Sequence, residues 1–402
     1  MKNNIVKSIL DQDLYKFSMQ NAILELFPHT EAHYRFKNRG FERFNDYFLE
    51  ELKKQISLMS NLKLSQGEYL WIKQNIPFLK PQYFEYLKNY RYNPSQVEVY
   101  LDNDNNLHLN IKGYWKDAIL WEVPLMSLIS ELYFTIIDTN WNKNSQDIRD
   151  KARYKIIKLY NEKCFFSEFG TRRRRSFDIQ DTVIETFNKI KNNVNPQYYV
   201  GTSNVYFSMK YGTTPKGSVA HEFIQAMQAL ESISHCNYYA MQNWIRVYNT
   251  ELGTFLPDTI TTDMFLKNFN RRFAMLFDSL RHDSGDPYLF TDKIINKYKE
   301  LNINPMSKTI IFSDSLNIDK TIKIKEYCKN RIQCSFGIGT FFTNDFENSN
   351  PLNMVIKLWS INDFPVVKLS DVKGKENGDK EAIKNMKWII NNHLKDKENV
   401  CK

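Results

Sequence analysis

The sequence predicts an α/β fold: an irregular TIM-like α/β barrel joined to a second, α+β domain that contains an antiparallel sheet. Two observations support this prediction. Between about residues 160 and 345, short apolar segments recur, each followed by a polar or glycine-containing turn and often by a helical pattern. In two places outside this region, alternating apolar and polar residues flank an Asn- or Asp-containing turn, which is typical of a β-hairpin.

The middle of the chain contains seven apolar segments, each short enough to form one strand. They are residues 164–172, 197–204, 217–222, 252–259, 273–285, 309–316 and 332–340. Strands that alternate with helices pair in parallel, and seven such units favour a closed or nearly closed barrel over an open sheet. Catalytic residues of such barrels collect at the carboxyl ends of the strands, so the polar residues that follow these segments are candidate site residues.

The two predicted hairpins lie far apart in the sequence. The first is VEVYLDNDNNLHLNIKG, residues 97–113, and in the second MVIKLW and FPVVKLS flank Asn362 and Asp363. Because neither hairpin is stable alone in water, we expect both to belong to one sheet-containing domain made from the two ends of the chain.

This expectation divides the chain into two domains. The α+β domain takes residues 1–140 with about 346–402, and the barrel takes about 141–345. At the start of the first part, Asp11 and Asp13 are predicted to cap a helix.

Composition restricts the class of protein. The chain has 402 residues, of which 42% are hydrophobic and 25% charged, so wholesale disorder is excluded. The net charge of +9 attracts anions, whether nucleic acid, phosphorylated metabolites or an acidic membrane surface. The five cysteines form no C-x-x-C pair, which fits a reducing compartment. With no signal peptide, and with the apolar stretch Val123–Ile137 interrupted by Glu131, we expect a cytoplasmic protein that binds no membrane.

Three turns after predicted strands contain residue types that bind phosphates and sugars. Gly337, Gly339 and Thr340 can expose backbone N–H groups to a phosphate, although two glycines equally make a tight turn. In the loop RHDSGDP, Arg281 can hold a phosphate and Asp283 a sugar hydroxyl or hydrated Mg²⁺, the alternative being an ordinary Asx turn. Asp314, after the next strand, also suits a helix N-cap.

Two other features are ambiguous in the sequence alone. The four arginines Arg172–Arg175 suit nucleic acid, but no aromatic residues interleave with them, which favours an anionic small ligand. His221 lies where a helix is predicted to begin, and the helix dipole there favours the neutral imidazole that a nucleophile needs. A lone histidine in this position is more often structural than catalytic. Asp258, after another strand, is a candidate carboxylate to orient the ring.

Taken together, the motifs occur in the order of a known family. They are DLYKxxM (13–19), FGTRR (169–173), GTSNV (201–205), GxxAHE (217–222), DSGDP (283–287), FSD (312–314), SFGIGTxxTND (335–345) and KLSD (368–371). The series resembles the nicotinate phosphoribosyltransferases, which are type II phosphoribosyltransferases of the Preiss–Handler route to NAD. The resemblance extends over about residues 11–375, and it implies an irregular α/β barrel with a sheet-containing domain built from both termini.

The resemblance also implies an activity. Nicotinate and 5-phosphoribosyl 1-diphosphate would give nicotinate mononucleotide and diphosphate, in a ligase-class reaction with ATP as co-substrate and Mg²⁺ held mainly by substrate phosphates. In the family, ATP transiently phosphorylates a histidine at the position of His221, and Asp258 matches the carboxylate that holds the ring. A tyrosine at the position of Tyr15 comes from the other subunit in the family, which implies a homodimer with shared active sites.

Substrate contacts follow from the same resemblance. Tyr15 and Phe169 would stack on the pyridine ring, Arg172 would face the carboxylate or a nearby phosphate, and Ser203 would donate to the carboxylate. Relatives that use nicotinamide have an aspartate at the position of Ser203. The phosphoribosyl and phosphate groups would be bound by Arg281, Asp283, Asp314, Gly337, Gly339 and Thr340. Ser315 replaces a usual glycine, so its Cβ could crowd the ligand.

Three alternatives remain open at this point. One is a nicotinamide-preferring enzyme, which Ser203 disfavours. Another is a protein that binds nucleic acid through Arg172–Arg175, which would bind in a salt-sensitive way. The third is an inactive homologue kept as a binding protein, against which the presence of His221, Asp283 and Asp314 argues.

Overall fold

The structure is a computed structural model that describes residues 4–193, 197–372 and 374–395. Its strands are β1 (Glu31–Asn38), β2 (Val97–Leu101), β3 (Leu107–Tyr114), β4 (Phe166–Glu168), β5 (Tyr199–Thr202), β6 (Thr254–Phe255), β7 (Ser279–His282), β8 (Thr309–Phe312), β9 (Gln333–Ile338), β10 (Met354–Ile361) and β11 (Phe364–Pro365).

The α-helices pack around two sheets formed by these strands. They are α1 (Leu14–Leu26), α2 (Asp46–Leu58), α3 (Gln66–Asn75), α4 (Pro81–Asn89), α5 (Trp115–Ala118), α6 (Glu122–Ile136), α7 (Ser145–Asn161), α8 (Phe177–Asn193), α9 (Val205–Tyr211), α10 (His221–Leu230), α11 (Cys236–Tyr248), α12 (Thr262–Asn268), α13 (Arg271–Leu276), α14 (Pro287–Glu300), α15 (Ile318–Cys328), α16 (Thr340–Thr343) and α17 (Lys380–Lys395).

The first sheet is antiparallel and joins the two ends of the chain. Its strand order is β11-β10-β1-β3-β2, so β1 pairs with β3 on one side and with β10 on the other. Both predicted hairpins are confirmed: β2 pairs with β3, and β10 pairs with β11. Asn362 and Asp363 have φ values of 46° and 61°, the left-handed conformation that a two-residue hairpin turn requires. The exact domain limits stay a prediction.

The second sheet is parallel throughout, with the order β5-β4-β9-β8-β7-β6. Six of the seven predicted segments contain one of its strands. The α/β fold class is therefore confirmed, and the carboxyl ends of these strands lie at one edge of the sheet.

The prediction of a strand in the remaining segment, residues 217–222, is wrong. The segment begins at Gly217 with φ 152°, a value that side chains rarely adopt, and a Cβ there would lie 2.9 Å from the backbone nitrogen of Tyr15. The glycine therefore lets α1 approach closely, and the chain enters α10 at His221 instead of continuing as a strand.

The chain at the start of this segment, residues 215–218, nevertheless links the two edges of the parallel sheet. On one side, the N–H of Lys216 donates to the carbonyl oxygen of Thr202 in β5, at 2.8 Å. On the other side, the Ser218 hydroxyl donates to the carbonyl oxygen of Thr254 in β6, at 2.5 Å. The link to β5 is an isolated parallel bridge between Thr202 and Pro215, and the link to β6 is one side-chain hydrogen bond, so this part of the barrel is irregular.

The aspartates before α1 do not cap it through their side chains. Asp13 occupies the N-cap position, yet its carboxylate accepts no N–H of the helix. Asp11 instead forms a two-bond ion pair with Arg174, with both N–O distances at 2.7 Å and both side chains fully buried. The prediction of side-chain caps was wrong because each carboxylate is bound by a partner distant in sequence.

The arginine run does not form a basic surface patch. Arg174 and Arg175 are both 0% exposed. The Arg175 guanidinium donates to the hydroxyl and carbonyl oxygens of Ser349, at 2.6 and 2.8 Å, and lies 3.6 Å from the ring centre of Phe134. Two of the four cations are therefore used inside the fold, so the run does not present four charges to a nucleic acid as that alternative supposed.

The run Trp115–Ile136 is long and apolar enough to cross a membrane by length and composition alone. Of its most apolar window, however, 78% is buried inside the protein. That burial is the pattern of a core helix, since a membrane-spanning helix must expose its apolar side chains to lipid.

The buried ion pair predicts a large loss of stability on truncation. Arg174→Ala would leave the Asp11 carboxylate buried without its cation, which costs about 3–5 kcal/mol of unfolding free energy. Urea denaturation measures this loss. The control is Lys189→Ala, which removes an exposed pair with Glu185 in α8 and should cost less than about 1 kcal/mol. Equal effects of the two substitutions would contradict the interpretation.

Candidate active site

A cavity of about 240 Å³ lies at the carboxyl ends of the parallel strands. The loops after β4, β7, β8 and β9 form one wall, and β10 of the antiparallel sheet forms another. The structure brings ten of the twelve predicted site residues to this cavity: Tyr15, Phe169, Arg172, His221, Arg281, Asp283, Asp314, Gly337, Gly339 and Thr340.

Asp258 lies directly behind the cavity wall, 1% exposed, and holds His221. Its Oδ1 is 2.8 Å from His221 Nε2. A carboxylate only accepts, so this bond corresponds to the neutral tautomer with its proton on Nε2, in which Nδ1 retains the lone pair. The predicted histidine–carboxylate pair is therefore present in the geometry.

Lys368, from the segment after β11, lies against both members of this pair. Its Nζ is 2.9 Å from His221 Nε2 and donates to Asp258 Oδ2 at 3.2 Å. Burial, and then the Lys368 charge, lower the pKa of His221 to about 4. Burial alone would raise the pKa of Asp258, but Lys368 and His221 outweigh it and hold that pKa well below its usual range. At neutral pH the ring is uncharged and the carboxylate is ionised.

A second carboxylate, Asp283, lies beside the histidine. Its Oδ2 is 3.7 Å from His221 Nε2, and its Oδ1 accepts from Arg281 at 2.9 Å and from the Ser313 hydroxyl at 2.7 Å. Burial opposes ionisation of Asp283, but Arg281 and His221 outweigh it and lower its pKa. β7 and β8 are adjacent, so the residues at their ends meet as parallel strands require.

The aromatic part of the cavity contains Tyr15, Phe169 and Arg172. A Cβ on Gly337 would clash with the Phe169 ring, and one on Gly339 would lie 3.1 Å from the Phe169 carbonyl oxygen. The two glycines predicted to cradle a phosphate therefore also make room for Phe169.

Tyr15 lines the cavity of its own chain. Helix α1, which contains this tyrosine, packs against the barrel, with the N–H of Leu14 donating to the Ser203 carbonyl oxygen at 2.8 Å. That a tyrosine from a second subunit completes a shared active site, as the family resemblance implies, stays a prediction.

Ser203 is not among the residues that line the cavity. It is 4% exposed, and its hydroxyl donates to Asp13 Oδ1 at 2.7 Å. In this geometry the hydroxyl proton is not directed at a ligand, so Ser203 would reach one only after a change of its hydrogen bonding.

Ser315 has φ 50°, in the left-handed region that favours glycine. The residue lines the cavity, and its hydroxyl donates to Asp314 Oδ1 at 3.0 Å. The backbone shape explains why a glycine suits this position, and the serine side chain occupies space beside Asp314.

Several cavity residues were missed by the sequence analysis, and most are cations. Arg39, Arg173, Lys357, Lys368 and Lys375 line the cavity together with Arg172 and Arg281. Burial, together with the charges of Lys368 and Arg172, lowers the pKa of Lys357 to about 7 despite the opposing Glu122 carboxylate. The sequence signal that could have identified Lys357 is its place among the apolar residues MVIKLW of β10.

An acidic pair was also missed. The buried Lys16 Nζ is 2.5 Å from both Glu122 Oε2 and Glu222 Oε2, and Glu122 Oε1 is 3.5 Å from Arg172. Burial alone would raise the pKa of Glu122, but Lys16 and Arg172 lower it to about 2. Glu122 therefore helps to hold the Arg172 guanidinium at the aromatic part of the cavity.

The residues present do not form a protein cage for a metal ion. Across residues 4–193, 197–372 and 374–395, no three His, Cys, Asp or Glu side chains are grouped to hold one. A divalent cation at this cavity would need ligands from its substrate, as phosphate oxygens provide.

The α/β barrel places seven arginine and lysine side chains around a cavity that contains a neutral histidine. These features define the class of protein as an α/β-barrel enzyme that acts on small anionic ligands. Comparisons with known proteins identify the family within that class. A family model described as the nicotinate phosphoribosyltransferase (NAPRTase) family matches residues 164–394, and the model of its N-terminal domain matches residues 10–130. The chain therefore belongs to the nicotinate phosphoribosyltransferase family.

Individual relatives are similar to this chain over nearly the full length of both proteins. The nicotinate phosphoribosyltransferase of Methanosarcina mazei is 47% identical over 405 residues, which cover 96% of this chain and 98% of the relative. The crystal structure of nicotinate phosphoribosyltransferase from Porphyromonas gingivalis has a TM-score of 0.91 and 39% identity, covering 95% of this chain and 98% of that one. The Vibrio cholerae structure has a TM-score of 0.90 and 32% identity, with coverages of 97% and 95%.

The buried histidine predicts a pH dependence of stability. The pKa of His221 is about 4 in the fold and 6.5 in an unperturbed chain, so the unfolded state binds more protons between these values. The unfolding free energy therefore falls as the pH falls through this window. His221→Gln should make that fall shallower, as measured by urea denaturation at several pH values. A variant as pH-dependent as the wild type would refute the prediction.

Proposed function

We propose that this protein transfers the phosphoribosyl group of 5-phosphoribosyl 1-diphosphate to nicotinate, coupled to ATP hydrolysis, in NAD biosynthesis. The observation that supports this most strongly is the cavity itself, which combines an aromatic pair, a cationic lining and a neutral histidine in a member of this family. Each feature matches one part of the reaction.

Nicotinate would bind at the aromatic part of the cavity. Tyr15 and Phe169, which both line it, would stack on the pyridine, and a stacked pair gains about 0.5–1.5 kcal/mol beyond the area it buries. Arg172, held by Glu122 at 3.5 Å, would pair with the nicotinate carboxylate. The charge of that carboxylate distinguishes nicotinate from the neutral nicotinamide.

The phosphoribosyl group would bind at the ends of β7, β8 and β9. Asp283 and Asp314 can accept from ribose hydroxyls, while Arg281 and the Gly337–Thr340 turn can bind a phosphate. In the transfer, the bond from C1 of the ribose to the diphosphate oxygen breaks, and the pyridine nitrogen bonds to C1. Lysine and arginine side chains would neutralise the charge that develops on the leaving diphosphate.

ATP would phosphorylate His221 on Nδ1. Because Nε2 donates to Asp258, the Nδ1 lone pair is free to attack the γ-phosphorus as the bond from phosphorus to the ADP oxygen breaks. The Asp258 carboxylate stabilises the positive charge that the ring gains. Water later breaks the N–P bond and restores the histidine, so the hydrolysis can drive a step of the transfer.

Mg²⁺, when bound with the substrate phosphates, would supply further neutralisation of their charge. A cytoplasmic location and a homodimer, both implied by the sequence or the family, stay predictions.

The reaction is tested by a paired product assay. The protein is incubated with 5-phosphoribosyl 1-diphosphate, Mg²⁺ and either nicotinate or nicotinamide, each with and without ATP. We expect nicotinate mononucleotide, formed faster with ATP, because Arg172 offers a charge partner to the carboxylate. Product from nicotinamide instead would overturn the assignment of the base, and no product from either would favour an inactive homologue.

The phosphohistidine is tested by labelling with [γ-³²P]ATP. The wild type should give an acid-labile, alkali-stable phosphoprotein, and His221→Ala should abolish the label. His108→Ala is the matched control, because His108 lies in β3 outside the cavity lining and its loss should leave labelling intact. Labelled His221→Ala protein would exclude this histidine as the acceptor.

A further inference from the structure

The segment Lys368–Asp371 follows the antiparallel sheet and packs on the loop that contains Asp258. The N–H of Leu369 donates to the Thr259 carbonyl oxygen at 2.9 Å. The Asp371 carboxylate accepts from the N–H and the hydroxyl of Thr262, at 2.8 and 2.5 Å. The segment is therefore fixed at both ends against the loop behind the histidine.

Ser370, inside this segment, has an unusual backbone. Its φ of 69° lies in the left-handed region, which disfavours a residue with a Cβ and suits glycine. The residue is 8% exposed and borders the cavity together with Ser284, so the serine is not there to solvate an open surface. A strained conformation that persists at a site points to a use of the side chain that glycine could not replace.

The Ser370 hydroxyl is the outer end of a hydrogen-bonded chain that leads to His221. It donates to Ser284 Oγ at 2.9 Å, and the Ser284 hydroxyl donates to Asp258 Oδ2 at 2.6 Å. Asp258 Oδ1 in turn accepts from His221 Nε2 at 2.8 Å. Each hydroxyl that accepts a bond becomes a stronger donor, so the first bond strengthens the second.

We propose that Ser370 is a positioning residue for His221, acting through Ser284 to fix the Asp258 carboxylate that orients the imidazole. This inference rests on the proposed function for its catalytic consequence, but its geometric part concerns the resting protein alone. The groups that face the His221 ring are Asp258, Asp283 and Lys368, and a substitution at Ser370 leaves all three residues in place.

The test uses Ser370→Gly, Ser284→Ala and a control. Glycine suits the φ of position 370 better than serine does, so this variant removes the hydroxyl without adding backbone strain. Ser127→Ala is the control, because Ser127 is also buried but donates to the Pro124 carbonyl oxygen within α6. All variants are studied as the full chain.

Two readouts distinguish positioning from a general structural role. The first is kcat and KM for nicotinate mononucleotide formation. We expect kcat to fall about three- to tenfold in Ser370→Gly and further in Ser284→Ala, the size of one lost hydrogen bond, with KM for nicotinate nearly unchanged. The control should retain the wild-type kcat.

The second readout is the Nε2–H resonance of His221 at neutral pH, in protein labelled with ¹⁵N-histidine and assigned by its absence in His221→Ala. With fewer donors, the Asp258 carboxylate becomes a stronger acceptor, so the resonance should move downfield in Ser370→Gly and further in Ser284→Ala. Ser127→Ala should leave it in place.

An unchanged resonance in Ser370→Gly would overturn the proposal, whether or not kcat falls, since the effect would then not pass through His221. A shifted resonance with unchanged kcat would overturn the positioning role. If the wild type formed no product, the proposed function would fail on its own, and the resonance would still decide whether Ser370 acts on His221.

Discussion

The pairing of β1 with β10 is the interaction on which the site depends. It joins a strand near residue 35 to one near residue 357, and so brings the C-terminal part of the chain to the open end of the barrel. Lys357 lies on β10 itself, and Lys368 follows shortly after the hairpin that this pairing anchors. Without the antiparallel sheet, the barrel would present a histidine and carboxylates but would lack two of the lysines that make the cavity an anion site.

Burying so many charges is costly, and the fold offsets the cost by pairing. Lys16 lies between Glu122 and Glu222, and Lys368 contacts both His221 and Asp258. In the first group Arg172 also lies 3.5 Å from Glu122, and in the second the Ser284 hydroxyl also donates to Asp258. The arrangement leaves His221 neutral beside an ionised carboxylate, because burial penalises its charged form while Lys368 already compensates Asp258. A nucleophilic nitrogen at neutral pH is the chemical result.

Much of the fold could be predicted because its signals are local. Apolar segments followed by polar turns predicted seven parallel strands, of which six are present, and the Asn362-Asp363 turn predicted a hairpin. The errors have a common cause. Residues 217–222 have an apolar pattern, but Gly217 lets α1 approach closely and no strand forms there. Asp11 suits a helix cap, but its carboxylate pairs with Arg174 instead. In both cases a contact from a distant part of the chain outweighed the local preference.

The sequence by itself determined the order of strands and helices, the family motifs and most residues of the site, because residue type and spacing encode local structure and chemistry. Only the tertiary structure decided how the four arginines divide, two in the cavity and two in the core, since neighbouring identical residues carry no signal of direction. It also placed Tyr15 in its own chain's cavity, directed the Ser203 hydroxyl to Asp13 and connected Ser370 to Asp258. These contacts join residues far apart in sequence, and such distances are set by packing alone.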